Sequence, residues 1–311
     1  MVTANPPLNE SEKIQCGVAK NPPTRPPISD GKIVVASYNI RYAVGRYLIS
    51  GGLLRKLGWS RTGTREQKVR ENIRLAGRAF REGILLPPPT IIALQEADKQ
   101  TARAGRQHVA SELAERLGMN WVHVPAGIPR GIKPVTRQWW LDFEEPIDLH
   151  DTGDTGVALL SYLEMKDLTR IDLPWHECPW RPRQAMAATV SVSGKNLRIV
   201  NAHVDPHVAL GGQLEQLEVL VAEADKSTDP TLVLGDFNTL SNSKVGETRK
   251  FLESHGYSTP FVSGTATWRG MGLRMHADWI FQRGVKITRC GVARPLGVSD
   301  HWPIWAQVDL S

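Results

Sequence analysis

A chain of 311 residues, 41% of them hydrophobic and 23% charged, carries enough apolar material for a sizeable core, which excludes wholesale disorder. Its formal net charge of +6 suits an anionic partner, whether nucleic acid, a phospholipid surface or a small phosphate ester, without choosing among them. The three cysteines, Cys16, Cys178 and Cys290, form no Cys-x-x-Cys pair and argue against both a disulfide framework and a structural zinc site.

The N-terminal MVTANPPLNESEK lacks a basic start followed by an apolar stretch, and no apolar run approaches the ~20 residues of a membrane span. A cytoplasmic protein with reduced thiols is expected. Residues 1–30 are rich in proline (NPPLNE, KNPPTRPPISDG). Proline removes backbone donors and fixes φ, so this stretch predicts a disordered arm without its own core. One folded domain is expected over 31–311.

Ile33–Ala36 predicts a strand leading into Ser37–Asn39. Val69, Ile73, Ala76 and Phe80 fall on one stripe and predict a helix over 65–82. After the helix-breaking PPP of 87–89, Ile91–Leu94 predicts a second strand. Val109, Leu113 and Leu117 mark another helix, with Gly118 as its C-cap. Trp121–Val124 follows as a strand. Residues 125–155, with Trp139–Trp140 and the acidic DFEEPIDLHDTGD, predict a long irregular insertion, a kind of loop that is often functional. Val157–Ser161, Ala187–Val192 and Leu197–His203 are the next strands, the last two joined by the turn signal SGKN. Leu214, Leu217 and Val221 indicate a helix. Thr231–Leu234 is a strand and a short helix is expected around 247–255. Asp278–Phe281, Val285–Thr288 and Trp302–Val308 complete the strands. Many hairpin-like strands and few helices predict stacked mixed sheets with helices outside rather than a parallel wheel.

Five strands end in polar groups that a purely structural strand does not need: Ser37-Tyr38-Asn39, Leu94-Gln95-Glu96, Asn201-Ala202-His203, Gly235-Asp236-Phe237-Asn238 and Ser299-Asp300-His301. A sixth, His276-Ala277-Asp278, opens a strand. Each alone reads best as a turn cap, a hydrogen-bonded histidine or a solvated carboxylate. Together they place carboxylates (Glu96, Asp236, Asp278, Asp300), amides (Asn39, Asn238) and imidazoles (His203, His301) on one rim, where ligands bind. Hard oxygen donors suit Mg²⁺ or Mn²⁺, and crowded carboxylates repel unless a cation or a proton neutralises them.

The series SYNI, LQEAD, NAHVD, GDFNT, ADWIF and SDHWP resembles the endonuclease/exonuclease/phosphatase superfamily, the DNase I-like metal-dependent phosphoesterases, from about Val34 to Val308. The resemblance implies a four-layer α/β sandwich of two packed mixed β-sheets flanked by helices. It implies that Asn39 and Glu96 hold the metal with Asp300 nearby. Asp236 would activate the attacking water or bind a second metal, and Asn238 would grip a phosphate oxygen. His301, supported by Asp278, would contact the phosphate, with His203 across from it as proton donor or charge stabiliser. Two departures narrow the substrate. Asn201-Ala202-His203 replaces the Tyr-and-Asn signature of members specialised for abasic DNA. Ala277-Asp278-Trp279-Ile280 replaces the Trp-Cys-Asp-Arg segment of the inositol-phosphate phosphatases.

The substrate expected is a phosphodiester, foremost nucleic acid. A phospholipid or a small phosphorylated metabolite is the alternative within the same fold, and a non-catalytic binding module the alternative outside it; the intact residue set argues against the last. A monomer is expected. The basic stretch 41–81 reads as a solvated helix face plus a loop (GRYLISGGLLRKLGW) that suits a polyanion backbone or an anionic lipid surface as well as plain packing. In PWHECPWRPRQ (174–184), Arg181 or Arg183 would meet a phosphate. Trp175 and Trp180 suit base stacking, though a loop capping the core weighs slightly more for them. His176 and Cys178 resemble metal ligands only by type.

Overall fold

The computed structural model describes residues 13–20, 31–45, 64–128, 147, 150–174, 182–270 and 272–311. In chain order these hold β1 (Gln15–Gly17), β2 (Lys32–Asn39), α1 (Arg65–Glu82), β3 (Ile91–Gln95), α2 (Val109–Leu117), β4 (Asn120–Pro125), β5 (Gly156–Ser161) and β6 (Met165–Asp172). They continue with β7 (Gln184–Val192), β8 (Lys195–His203), α3 (Leu210–Ala224), β9 (Thr231–Asp236) and α4 (Asn242–Ser254). The last elements are β10 (Trp268–Gly270), β11 (Leu273–Met275), β12 (Asp278–Arg283), β13 (Lys286–Val292) and β14 (Ile304–Asp309).

A seven-stranded sheet has the order β1-β4-β5-β3-β2-β14-β13 and a five-stranded sheet the order β12-β9-β8-β7-β6. Alternation along the strands gives each sheet two apolar faces, and three clusters fill the gaps between layers. Ile33, Val35, Ile91 and Ala93 of the first sheet meet Met186, Ala188, Leu232 and Ile280 of the second. The outer face of the first sheet packs against Val69, Ile73 and Phe80 of α1 and Leu113 of α2. The outer face of the second packs against Leu217, Leu220 and Val221 of α3 and Leu252 of α4. This is the four-layer α/β sandwich expected.

Helix ends follow local chemistry. Thr64 caps α1 by a reciprocal box with Gln67, and Gly83 closes it in the left-handed region. Gly118 does the same for α2. The arginines of α1 are a solvated face: Arg70, Arg74 and Arg78 pair with Glu66, Glu71 and Glu82. The helix expected around 247–255 begins earlier, because Ser241 caps it at the Lys244 N–H. Three pieces of sheet were not foreseen. The polar β6 is an edge strand, so it lacks the apolar run that marks a buried one. The hairpin β10–β11 has three-residue strands. In the N-terminal arm, expected to be disordered, Gln15–Gly17 pairs with Trp121–His123 of β4; a sheet edge supplies partners that the arm's composition does not announce. Most of the 125–155 insertion and of the loop after Gly45 lies outside the described residues, as do Arg181, Trp175, Trp180, His176 and Cys178. Among the described residues no helix is long and apolar enough to cross a membrane.

Two pairings orient the chemistry. β2 and β3, joined through α1, run parallel with Asn39 opposite Gln95. β8 and β9, joined through α3, run parallel with His203 opposite Asp236. Parallel strands put their carboxyl ends on one edge, the usual place for a ligand in an α/β sheet. β14 and β12 run antiparallel to β2 and β9, with Ile304 opposite Ser37 and Asp278 opposite Asp236. Their beginnings therefore reach the same rim.

Candidate active site

The rim is polar, buried and mutually bonded. Asn39 Nδ2 donates to Glu96 Oε1 at 3.2 Å and to Asp236 Oδ2 at 2.8 Å, so one amide draws together carboxylates from two sheets. His203 Nε2 lies 3.7 Å from the same Glu96 oxygen and 3.6 Å from the same Asp236 oxygen. His301 Nε2 lies 3.7 Å from that Asp236 oxygen, while its Nδ1 sits 2.9 Å from Asp278 Oδ2. The Ser299 hydroxyl lies 2.8 Å from the Asn39 carbonyl and 3.2 Å from Asp300 Oδ1, and accepts from the His301 N–H at 3.1 Å. That single side chain ties Asn39, Asp300 and His301 together across 260 positions.

Burial and charge set the protonation. Loss of solvent pushes Asp236 up to about 7; Asp278 adds to this, and His301 opposes it. Burial works against a charged His301, but Asp278, Asp236 and Asp300 outweigh it and push the imidazole up to about 10. Near neutral pH His301 therefore keeps its proton, its ring fixed by Asp278, and Asp236 is the carboxylate that titrates.

Backbone geometry serves the same end. Glu96 (φ 51°) and Asn238 (φ 51°) adopt left-handed conformations where their strands end. Gly235, at φ 140°, approaches β8 so closely that a Cβ would lie 2.0 Å from the Ala202 carbonyl oxygen; only glycine fits, and it lets β9 deliver Asp236 beside His203. Arg41, Tyr42 and Ala43 are left-handed in succession (φ 47°, 40° and 57°), a conformation costing ~1–2 kcal/mol per residue. Surrounding bonds hold it. Arg41 N–H donates to Asn39 Oδ1 and Tyr42 N–H to the Glu96 carbonyl, and the Arg103 guanidinium, bidentate to buried Asp98, sits 4.0 Å over the Tyr42 ring.

The structure brings Asn39, Glu96, His203, Asp236, Asp278 and His301 together, while Arg181 lies outside the described residues. Asp300 reaches the Asn39–Glu96 pair through Arg41, whose Nη1 is 3.3 Å from Asp300 Oδ2; Asp300 and Glu96 both raise the Arg41 pKa against burial. Asp300 Oδ2 also accepts from Trp268 Nε1 at 3.1 Å. Arg183 is buried, with Nη1 3.0 and 3.1 Å from the two ring nitrogens of His203, and its Nε and Nη2 have no hydrogen-bond partner among the described residues. A guanidinium only donates, so the ring nitrogen it engages is unprotonated. Asn238 anchors itself through Nδ2 to the Val204 carbonyl at 2.8 Å.

Sequence reasoning overlooked Arg41 and Trp268, and it saw in Gln95 and Asn201 only strand ends. Gln95 Nε2 donates to Asn201 Oδ1 at 2.7 Å, and Asn201 Nδ2 donates to the Leu94 and Ala158 carbonyls. This buried amide bridge locks the two sheets directly beneath the rim. A polar residue inside an apolar run was the available signal for both.

Residues 36–301 match the Endonuclease/Exonuclease/phosphatase family. The chain belongs to this family. The UPF0294 protein YE0917 of Yersinia enterocolitica is 26% identical over 144 residues, which are 43% of this chain and 54% of that protein, so the match spans about half of the relative's length. An endonuclease/exonuclease/phosphatase structure from Beutenbergia cavernae superposes with a TM-score of 0.61 at 14% identity, covering 90% of this chain and 72% of that one. The human Nocturnin catalytic domain with bound sulfate anion gives 0.56 at 18% identity, covering 90% and 95%. Endonuclease/exonuclease/phosphatase proteins are hydrolases of phosphoester bonds and depend on a divalent metal. In this member, Asp236, Asp278 and His301 each bring a ligand atom within 4.8 Å of the others, a buried group able to hold a cation.

Proposed function

We propose that this protein is a divalent-metal-dependent phosphodiester hydrolase that acts on nucleic acid, with residues 31–311 as one catalytic unit working as a monomer. The observation that carries the reading is the convergence of Asn39, His203 and His301 on one Asp236 carboxylate oxygen, with Glu96 joined to the same Asn39 amide and His203 ring.

The donors fit Mg²⁺ or Mn²⁺. Glu96 and Asp236 turn oxygens toward a shared amide and a shared imidazole, a crowding of buried anions that a hard cation relieves. Asn39 and Glu96 would hold it, with Asp300 steadied nearby by Arg41 and Trp268. The cation would supply Lewis acidity and neutralise charge on the phosphoryl oxygens. The chain's own groups do the rest. Asp236, raised toward neutrality, accepts the proton of the attacking water. Protonated His301, its Nδ1 taken by Asp278, presents Nε2 to a phosphate oxygen. His203, held between Arg183 and the carboxylates, stands across as donor to the leaving oxygen or as charge stabiliser. Asn238 spends one amide hydrogen on Val204 and turns the other to the phosphate. Arg183, with two buried donors unmatched, meets a phosphate oxygen as a fork.

The test is hydrolysis of bis-p-nitrophenyl phosphate, labelled single- and double-stranded DNA, RNA and sphingomyelin, each with Mg²⁺ and with EDTA. Turnover of the small diester and of a nucleic acid, both abolished by EDTA, is expected. Hydrolysis of sphingomyelin alone refutes the substrate; EDTA-resistant turnover refutes the metal.

A further inference from the structure

The hairpin β10–β11 stands beside the site and is bonded into it. Trp268 reaches Asp300 through Nε1 and bridges to His301. The Arg269 N–H donates to the Asp300 carbonyl, and the Trp302 N–H to the Thr267 carbonyl. The base of the hairpin is held in turn by Thr267 Oγ1, which accepts from the N–H groups of Ala277 and Asp278. Any movement of the hairpin is therefore felt at Asp300 and Asp278.

Its charge arrangement is unfavourable for an isolated surface turn. Arg269 and Arg274 are direct cross-strand partners, and like charges in that position repel. Arg294 joins them from the loop after β13: partial burial and the nearby Arg274 charge both press its pKa below the ordinary value. Among the described residues no ion pair connects Arg274 or Arg294 to a carboxylate. The cluster is nonetheless built rather than splayed. The guanidinium carbons of Arg269 and Arg294 lie 4.6 and 4.7 Å from the ring centroid of buried Trp302. Arg269 Nη2 donates to the Leu296 carbonyl, and Arg294 Nη2 donates to the Ala266 carbonyl. Cation–π contacts of this kind fix the direction of a guanidinium without neutralising it.

We infer that Arg269 and Arg294, braced on Trp302, form with Arg274 a strand-guiding surface that takes the phosphates next to the scissile one in a nucleic-acid strand. This rests on the phosphodiesterase reading above and extends it from a single ester to a polymer. A mononucleotide or small ester would end at His301 and leave Arg274 and Arg294 unused. A chain of phosphates leaving the rim past Asp300 relieves their mutual repulsion. Guanidiniums held by an aromatic ring are less suited to a fluid lipid surface than to a repeating anion of fixed spacing, so the strand is favoured over a membrane. Among the described residues of the hairpin, the exposed Leu273 is a feature a membrane would also use.

The experiment measures binding, not turnover. Fluorescence anisotropy of a short labelled single-stranded DNA, and of RNA of the same sequence, is followed in EDTA over a salt series. Arg274→Ala with Arg294→Ala should weaken binding about tenfold at low salt and reduce the slope of log K against log salt by about 1.4. Lys195→Ala with Lys286→Ala removes the same charge at the other end of the sheets and should leave the slope unchanged. Arg274→Lys with Arg294→Lys should recover most of the slope, which guards against a folding defect in the alanine pair. An unchanged slope, or an equal loss in the Lys195/Lys286 variant, overturns the inference. So does a variant that loses only its binding to phosphatidylserine vesicles while keeping the strand. Because no turnover is read, failure of the hydrolysis reading and failure of this surface are separate results.

Discussion

The two ends of the same strands obey different rules. At the end where β7 turns into β8, Ser193 and Gly194 make a tight hairpin turn with φ 49° and 82°, and Lys32 faces Asp309 at 3.8 Å with the lysine side chain partly exposed. Nothing lies within 4 Å of where a Gly194 side chain would begin. At the other end, left-handed residues carry buried Glu96, Asn238 and Arg41, and carboxylates crowd one another out of water. A chain end designed only for stability would look like the first. The second accepts strain and like-charge repulsion, and such costs gather where a ligand is handled.

The largest expected break in this contrast is catalytic. Asp236→Ala and His301→Ala should each lower kcat on bis-p-nitrophenyl phosphate by roughly 10²–10⁴-fold, with cooperative melting retained; full activity in either refutes the assignment. A smaller but global effect comes from pH. Burial lowers His276 and His108 to about 4, and burial with nearby charge drives His123 down as well. For these groups the unfolded chain binds more protons between about 4 and 6.5, so their contribution is full above 6.5 and lost as pH falls through that window. Asp236, raised from 3.8 to about 7, acts oppositely across that whole range, and the raised His301 contributes stability that is lost as pH rises toward 10. Three histidines outweigh one carboxylate. The metal-free protein should therefore melt highest near pH 6.5 and fall on either side, by several degrees at pH 5 in differential scanning calorimetry. A rising melting temperature on acidification would contradict the buried neutral histidines.

Glycine substitution sharpens the comparison further. Gly235→Ala meets a carbonyl and should cost on the order of 3 kcal/mol, read as a lower urea midpoint. Gly194→Ala, with only its φ against it, should cost about 1 kcal/mol. Equal costs would mean that the rim is no tighter than the hairpin. The smallest effect belongs to Lys32→Ala, expected within about 0.5 kcal/mol of the parent by the same measurement, since a partly exposed pair at 3.8 Å is weak in water.

Much of this was legible in one dimension. The apolar stripe of Val69, Ile73, Ala76 and Phe80, the Gly118 cap of α2 and the SGKN turn are short-range signals, and each element stands where they place it. Asn39, Glu96, Asp236 and His301 announce themselves only together: each alone suits a turn cap or a solvated group, but a series of polar strand ends on one rim does not. The edge strand β6, the paired part of the N-terminal arm and the early start of α4 were not legible. An edge strand needs no apolar run, a three-residue strand leaves no period, and a serine cap reads the same in any loop.

Residue types, their order along the chain and the ends of most helices and strands were thus decided by the sequence itself, through forces that act within a turn or two. Which of those residues meet was decided only in three dimensions. The Ser299 bridge to Asn39, the Gln95–Asn201 lock and the hold of Arg41 on Asp300 join positions up to 260 apart. Such contacts depend on the register of two sheets, and that register is set by the packing of the apolar layer between them, which no local pattern encodes.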